Sequence, residues 1–518
     1  MATVLFSHAK LYDSGTDAFL PGEVLAEDGV IAALSHRCGA LRAEREVDCG
    51  GAVLLPAFAD THLHLPGSYL YERHGVNLMG CESLEACREK LLHAGTDGAV
   101  LRGFGWNQSL FEEDPGALPA FQSFLNDRFP ETPVILFSDD YHSCICSRAL
   151  LARAEKWIPA HSAAYRTGLL KERMLFSLLH HLPELSFRPD EIRDALLAFQ
   201  AMLFSRGITA VQTLMPIGMN EDQFRRILRE LAEQGAWKLH TRCALTVHPT
   251  ASPDEVVARY RALQQEDCGS VSLGAVKLYA DGVVDNGSAY LREPYCTGGC
   301  GRPIWTDEAL TALCTRLDRE KIQIHVHTIG DAAAAQITAA LGRAMAANGR
   351  ARNENRHVLA HVQLAAPETA AEIGRLSLFC ALQPFWFPQD AVYSVDRAML
   401  GDSRTAGEYP CASLLRAGAR VTFGSDSPVT PDPAPLAGMA CAMARGNRAE
   451  ALPFSQALDA YTAAAAEQLA FPALGAIAPG RRADLALVRA PEPLNTAQGL
   501  AAASVEQTYI GGSCVYHK

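Results

Sequence analysis

Downstream of Pro56 the chain alternates between two textures. Short apolar runs are followed by stretches in which apolar residues recur at helical spacing, as over 191–206, 221–234, 307–319 and 332–347. Such alternation implies parallel strands joined by crossover helices. Strands are expected at 53–64, 207–214, 237–247, 272–281, 323–330, 357–363, 378–383 and 420–427. Eight strands with helices between them predict an α/β fold, a (β/α)8 TIM-like barrel.

The two ends read differently. Residues 1–56 hold short apolar runs at 3–6, 22–26, 30–34 and 47–55 broken by turn signals, and the tail holds similar runs at 483–488, 505–510 and 513–516. The pattern predicts a small β-sandwich domain built from 1–56 plus 470–518, with the barrel over 57–469 inserted into it. The segment 66–189 is too long for one loop and contains strand-like 100–106 and 133–139. It is expected to be an insertion over the barrel mouth, where function gathers.

Composition narrows the partners. The 518 residues are 48% hydrophobic, and 46 Lys+Arg against 58 Asp+Glu give a formal charge of −12 without a cationic cluster. Nucleic acid is therefore not an expected partner. The most apolar stretch, 458–478, is interrupted by Asp459, Glu467 and Pro472, so no membrane span or leader is expected. Fifteen cysteines, an odd and scattered set, suit reduced thiols in a cytoplasmic protein. Cys144/Cys146 and Cys296/Cys300 are close enough in sequence for a clip or a disulfide, but neither has a matching second pair. A small-molecule substrate is expected, and a homo-oligomer stays open.

Histidines at strand ends carry the candidate chemistry. In Asp60-Thr61-His62-Leu63-His64 the two imidazoles share a face, because strand side chains alternate, and can grip one metal ion or simply pack. Three further expected strands end alike, in His325-Val326-His327, in His361, and in Gly424-Ser425-Asp426-Ser427-Pro428. Barrel catalytic groups gather at strand C-terminal ends, and imidazoles with a carboxylate suit Zn²⁺ or a similar ion, one or two in number. The expected fourth strand places Lys277, Tyr279 and Asp281 on one face. Lys277 is there either as a neutral amine able to take up CO₂ as a carbamate, or as an ammonium paired with Asp281. Tyr69, Phe104, Trp106, Phe385 and Trp386 are core residues or mouth residues; Trp106 and Trp386 are the candidates to line an apolar substrate site.

These motifs resemble the amidohydrolase superfamily. Pro56-Ala57-Phe58-Ala59-Asp60-Thr61-His62-Leu63-His64 is similar to its opening signature. Lys277 to Gly282, His327-Thr328-Ile329-Gly330-Asp331, Gly424 to Pro428 and the tail Gly475 to Leu485 are similar to its amidohydrolase-3 or YtcJ-like branch, which includes N-substituted formamide deformylase. The resemblance implies a metal-dependent hydrolase of a C–N bond, amide or formamide. It implies His62, His64, His327, His361 and Asp426 as ligands and Lys277 as the lysine that can be carbamylated. Asp426 would also be the proton acceptor, with His142, Tyr279 and Asp281 orienting substrate or water. His325 has no counterpart in that pattern and fits a supporting or packed position; Asp331 fits a helix N-cap. Cys144 to Ser147 and Thr213 depart from the branch's usual residues. A deaminase or cyclic-imide hydrolase on the same barrel, and a non-catalytic regulator, are the alternatives.

Overall fold

Eight parallel strands wrap around a buried centre in the computed structural model, which describes the chain except residues 1–2, 38, 95–99, 112–113, 115, 140, 172, 217–218 and 388–392. They are β1 (Phe58–Leu63), β2 (Ile208–Thr213), β3 (His240–Thr246), β4 (Val271–Tyr279), β5 (Gln323–Thr328), β6 (Val358–His361), β7 (Phe379–Leu382) and β8 (Arg420–Phe423). Every residue of β1, β2, β5, β6 and β7 is buried, as parallel strands covered on both faces require. The outer cover is amphipathic helices. Asp307–Arg319 is capped by the Thr306 hydroxyl, which accepts from the Ala309 N–H, and it turns Leu310, Leu313, Cys314 and Leu317 inward at helical spacing. The (β/α)8 expectation is met.

The barrel nearly closes where β8 meets β1. The Thr61 hydroxyl donates to the Phe423 carbonyl at 2.8 Å, and the Asp426 N–H donates to the His62 carbonyl at 2.7 Å. The Asp60 carboxylate accepts from the backbone N–H groups of His62 and Ser425, tying the two strand ends together. Gly424 permits this approach: a Cβ there would lie 2.6 Å from the His62 nitrogen.

One strand expectation is corrected. The run 53–64 is two strands in two sheets, broken at Pro56-Ala57. Val53–Pro56 pairs with Thr3–Asp13 and Leu485–Arg489, whereas Phe58–Leu63 enters the barrel against β2. The Ala57 N–H donates to the Asp484 carbonyl and the Phe58 N–H to Gly207, so adjacent residues serve different sheets.

Both chain ends build one eight-stranded sheet, Thr3–Asp13, Ala18–Glu27, Val30–Ser35, Arg45–Asp48 and Val53–Pro56 joining Leu485–Arg489, Ser504–Ile510 and Ser513–His517. Its core includes Phe6, Ile31, Leu54, Leu485 and Tyr509. A five-stranded sheet (Val76–Asn77, Leu101–Trp106, Val134–Ser138, Ser143–Cys146, Leu169–Lys171) forms within the segment between β1 and β2. Among the described residues no helix is long and apolar enough to cross a membrane.

Candidate metal centre

The imidazoles converge at the C-terminal ends of the strands. Ring centroids lie 5.7 Å apart for His62 and His64, 4.7 Å for His62 and His361, and 4.7 Å for His327 and His361. The ladder sets this spacing: His327 of β5 stands opposite Tyr279 of β4, and His361 closes β6 opposite Thr328. Asp426 lies just past β8, its Oδ1 3.1 Å from both His62 Nε2 and His64 Nε2. His361 and Asp426 both take positive φ, +73° and +56°, a strained conformation for side-chain-bearing residues that clusters at functional sites.

Outer hydrogen bonds fix which nitrogen faces the centre. His64 donates from Nδ1 to the Met215 carbonyl at 2.7 Å, His361 from Nδ1 to Gln383 Oε1 at 2.9 Å, and His327 from Nε2 to the Gly282 carbonyl at 3.2 Å. Each acceptor is an oxygen, so in the neutral ring the other nitrogen keeps its lone pair. Burial, above all, holds His62 and His327 well below the ordinary imidazole value and brings His361 to about 4, so these rings stay neutral. Burial would raise the Asp426 carboxyl, and positive charge at the adjoining His62, His64 and His361 edges would outweigh this and hold it as a carboxylate.

This donor set fits a divalent cation. His62 Nε2 and Asp426 Oδ1 are both buried without a hydrogen-bond partner although only 3.1 Å apart. Buried polar atoms left this way are rare and costly unless something binds them. Single ligand atoms of His62, His361 and Asp426 lie within 4.8 Å of one another, a span one ion can bridge.

The sequence pattern of the amidohydrolase family matches residues 45–516. The chain belongs to the amidohydrolase family. It is 28% identical over 533 aligned residues to the putative amidohydrolase YtcJ of Bacillus subtilis, covering 96% of each chain. It is 27% identical over 505 residues to the protein LONG AFTER FAR-RED 3 of Arabidopsis thaliana, covering 91% of this chain and 83% of that one. In fold it is similar to an uncharacterized metal-dependent hydrolase from Pyrococcus horikoshii, with a TM-score of 0.76 at 20% identity over 96% of this chain and 99% of that one. Atrazine chlorohydrolase TrzN from Arthrobacter aurescens, complexed with zinc, shares the fold at a TM-score of 0.56 and 16% identity, covering 99% and 95%.

The remaining candidates of this amidohydrolase divide. Lys277 is 1% exposed, with Nζ 4.8 Å from the Tyr279 ring centre, and burial lowers its amine to about 7. Among the described residues it has no carboxylate at ion-pair distance. Its expected pairing with Asp281 is thus not formed, because Asp281 serves elsewhere. Asp281 Oδ1 accepts from the Ile329 N–H, and Oδ2 from those of Tyr290 and Gly330. That clamps the loops after β4 and β5. Tyr279 and His142 do stand beside the centre, their rings 5.4 and 5.7 Å from His327.

Trp386 lies flat against His361, 5.5 Å away at 13° between planes, and braces that ring. Trp106 is corrected. It is 2% exposed, donates to the Leu136 carbonyl and packs in the core of the inserted sheet with Phe111 and Phe121, so it is not a substrate wall. Asp331 is the first helical residue and Gly330 the cap, which corrects the N-cap reading; its Oδ1 accepts from the Arg292 N–H instead. The described cysteines are free, with the Cys144 and Cys146 sulfurs 3.6 Å apart. Sequence reasoning missed Gln383, whose only signal is a lone polar residue ending an apolar strand, and the carbonyls of Met215 and Gly282, which carry no signal at all.

Proposed function

We propose that this amidohydrolase cleaves a C–N bond, an amide or formamide, in a small N-substituted substrate with an apolar substituent. The observation that supports it most is the convergence of unprotonated imidazole nitrogens and an unpartnered Asp426 oxygen at the C-terminal mouth of a parallel barrel. His62, His64, His327, His361 and Asp426 would hold Zn²⁺ or a similar ion, and Lys277, carbamylated, a second. A bound divalent ion supplies Lewis acidity, making water a nucleophile near neutral pH and polarising the carbonyl.

The chain's own groups do the rest. Asp426, a carboxylate at the strand end, takes the proton of the attacking water and passes it to the leaving nitrogen, so the C–N bond breaks with release of a neutral amine and an acid. His142 and Tyr279, against His327, orient the carbonyl. Trp386 offers an aromatic face to the substituent. Free thiols throughout the described chain support a cytoplasmic setting. The test is a screen of N-acyl and N-formyl amines that follows amine release. Release of an organic amine supports the reading; release of ammonia alone makes the protein a deaminase, and no turnover by metal-loaded protein refutes hydrolysis.

A further inference from the structure

His325 stands behind the metal centre without being one of its ligands. It lies on β5 opposite Lys277, is fully buried, and its Nε2 is 2.9 Å from His62 Nδ1. The other three imidazoles lean on oxygen acceptors, namely the Met215 and Gly282 carbonyls and the Gln383 amide oxygen. Those contacts run in one direction only, since a carbonyl cannot donate. The His62 contact is different, because either imidazole can supply the single proton between them.

The two directions have different consequences. When His62 donates from Nδ1, its Nε2 keeps the lone pair that faces Asp426. When His325 donates from Nε2, a neutral His62 must carry its proton on Nε2, where it blocks ligation. Both arrangements hold the same number of protons, so the choice between them is one of tautomer. In the first arrangement the His325 proton sits on Nδ1, which has no hydrogen-bond partner among the described residues, so that tautomer carries the cost of one unpaired buried donor.

We propose that His325 is a positioning residue: it accepts the His62 Nδ1 proton and so sets the His62 tautomer that ligates the ion. This rests on the reading of His62 as a ligand, and it makes His62 the one histidine whose readiness depends on another imidazole. Loss of such outer partners typically lowers metal affinity about 10–100-fold.

The test is Zn²⁺ affinity of the full chain, measured by competition with a chromogenic chelator and requiring no substrate. His325→Leu removes the acceptor and is expected to weaken Zn²⁺ binding at least about 10-fold. His325→Gln, whose amide oxygen reaches about as far as Nε2, is expected to stay within about 3-fold of the unaltered protein, well inside the usual loss. If the leucine variant fails to fold, His325→Asn replaces it; its shorter amide keeps polarity but does not reach His62, and the same loss is expected. Unaltered affinity in the leucine or asparagine variant overturns the assignment, as does an equal loss in the glutamine variant. Failure of the unaltered protein to bind Zn²⁺ would instead defeat the proposed function.

Discussion

Asp318, at the end of the barrel away from the metal centre, tests how buried charge stabilises the scaffold. It is fully buried near the end of the helix Asp307–Arg319, and its Oδ1 accepts from His357 Nε2 at 3.0 Å and Asn355 Nδ2 at 2.6 Å. Its Oδ2 accepts from Asn348 Nδ2 and Arg350 Nη1, each at 2.7 Å. Burial works against the charge, but His357 and the amide donors outweigh it and bring the carboxyl from 3.8 to about 2. At about 1.4 kcal/mol per pKa unit that drop is worth about 2.5 kcal/mol, trimmed to about 2 by solvent screening around Arg350. Asp318→Asn also turns an amide N–H₂ against donors it cannot satisfy, adding about 1–3 kcal/mol. The expected loss is therefore about 3–5 kcal/mol at pH 7, in line with breaking a buried pair.

The pH dependence follows from the sign. A depressed carboxyl contributes stability that is fully present above its unfolded value near 3.9 and is lost as pH falls through about 2. From this carboxyl alone, the gap between the two proteins is constant from pH 7 to about 5 and shrinks below 4. His357 is kept neutral chiefly by burial, which Asp318 partly offsets, so as pH falls below about 6.5 the variant loses more stability than the unaltered protein and the gap widens before it shrinks. Urea unfolding followed by tryptophan fluorescence reads the difference. His361 lies four residues further along β6, about 13 Å away, so metal content should not change. A loss under about 0.5 kcal/mol, the scale of an ordinary surface substitution, would refute the reasoning.

Three predictions concern the site. Asp426→Asn should lower kcat at least about 10²-fold, as loss of an acid–base group does; near-normal turnover in metal-loaded variant would reassign the base. Lys277→Ala should lose one ion and most activity, with short carboxylic acids restoring part of it; an unmodified Lys277 mass in fully active, bicarbonate-supplied protein would exclude the carbamate. N-benzyl or N-aryl amides should outcompete small polar amides, and Trp386→Ala should erode that preference by raising KM; a preference for charged amino-acid derivatives would contradict an apolar mouth.

The barrel was legible because its strands lie in short, mostly apolar runs, several of which end in chemistry. His62, His64, His327, His361 and Asp426 are polar residues at the ends of apolar runs, which is why the sequence shows them. What lay beyond reach depends on backbone partners far away in the chain. Asp281 reads as a partner of Lys277 until its oxygens are seen to accept from the N–H groups of Tyr290, Ile329 and Gly330. Trp106 reads as a mouth residue because Gly105 and Asn107 suggest a loop, whereas its indole N–H ends on Leu136 inside a second core. The break at Pro56-Ala57 sits within one continuous apolar run, so no change in pattern marks where one sheet hands over to the next.

Metal dependence of hydrolysis tests the central claim most directly. Purified protein is assayed for metal content and for amine release from an N-acyl or N-formyl amine, before and after chelation and again after Zn²⁺ is restored. The account predicts about one to two equivalents of a divalent ion per chain, loss of hydrolysis on chelation and its return with Zn²⁺. Full activity in protein shown to be metal-free would contradict it.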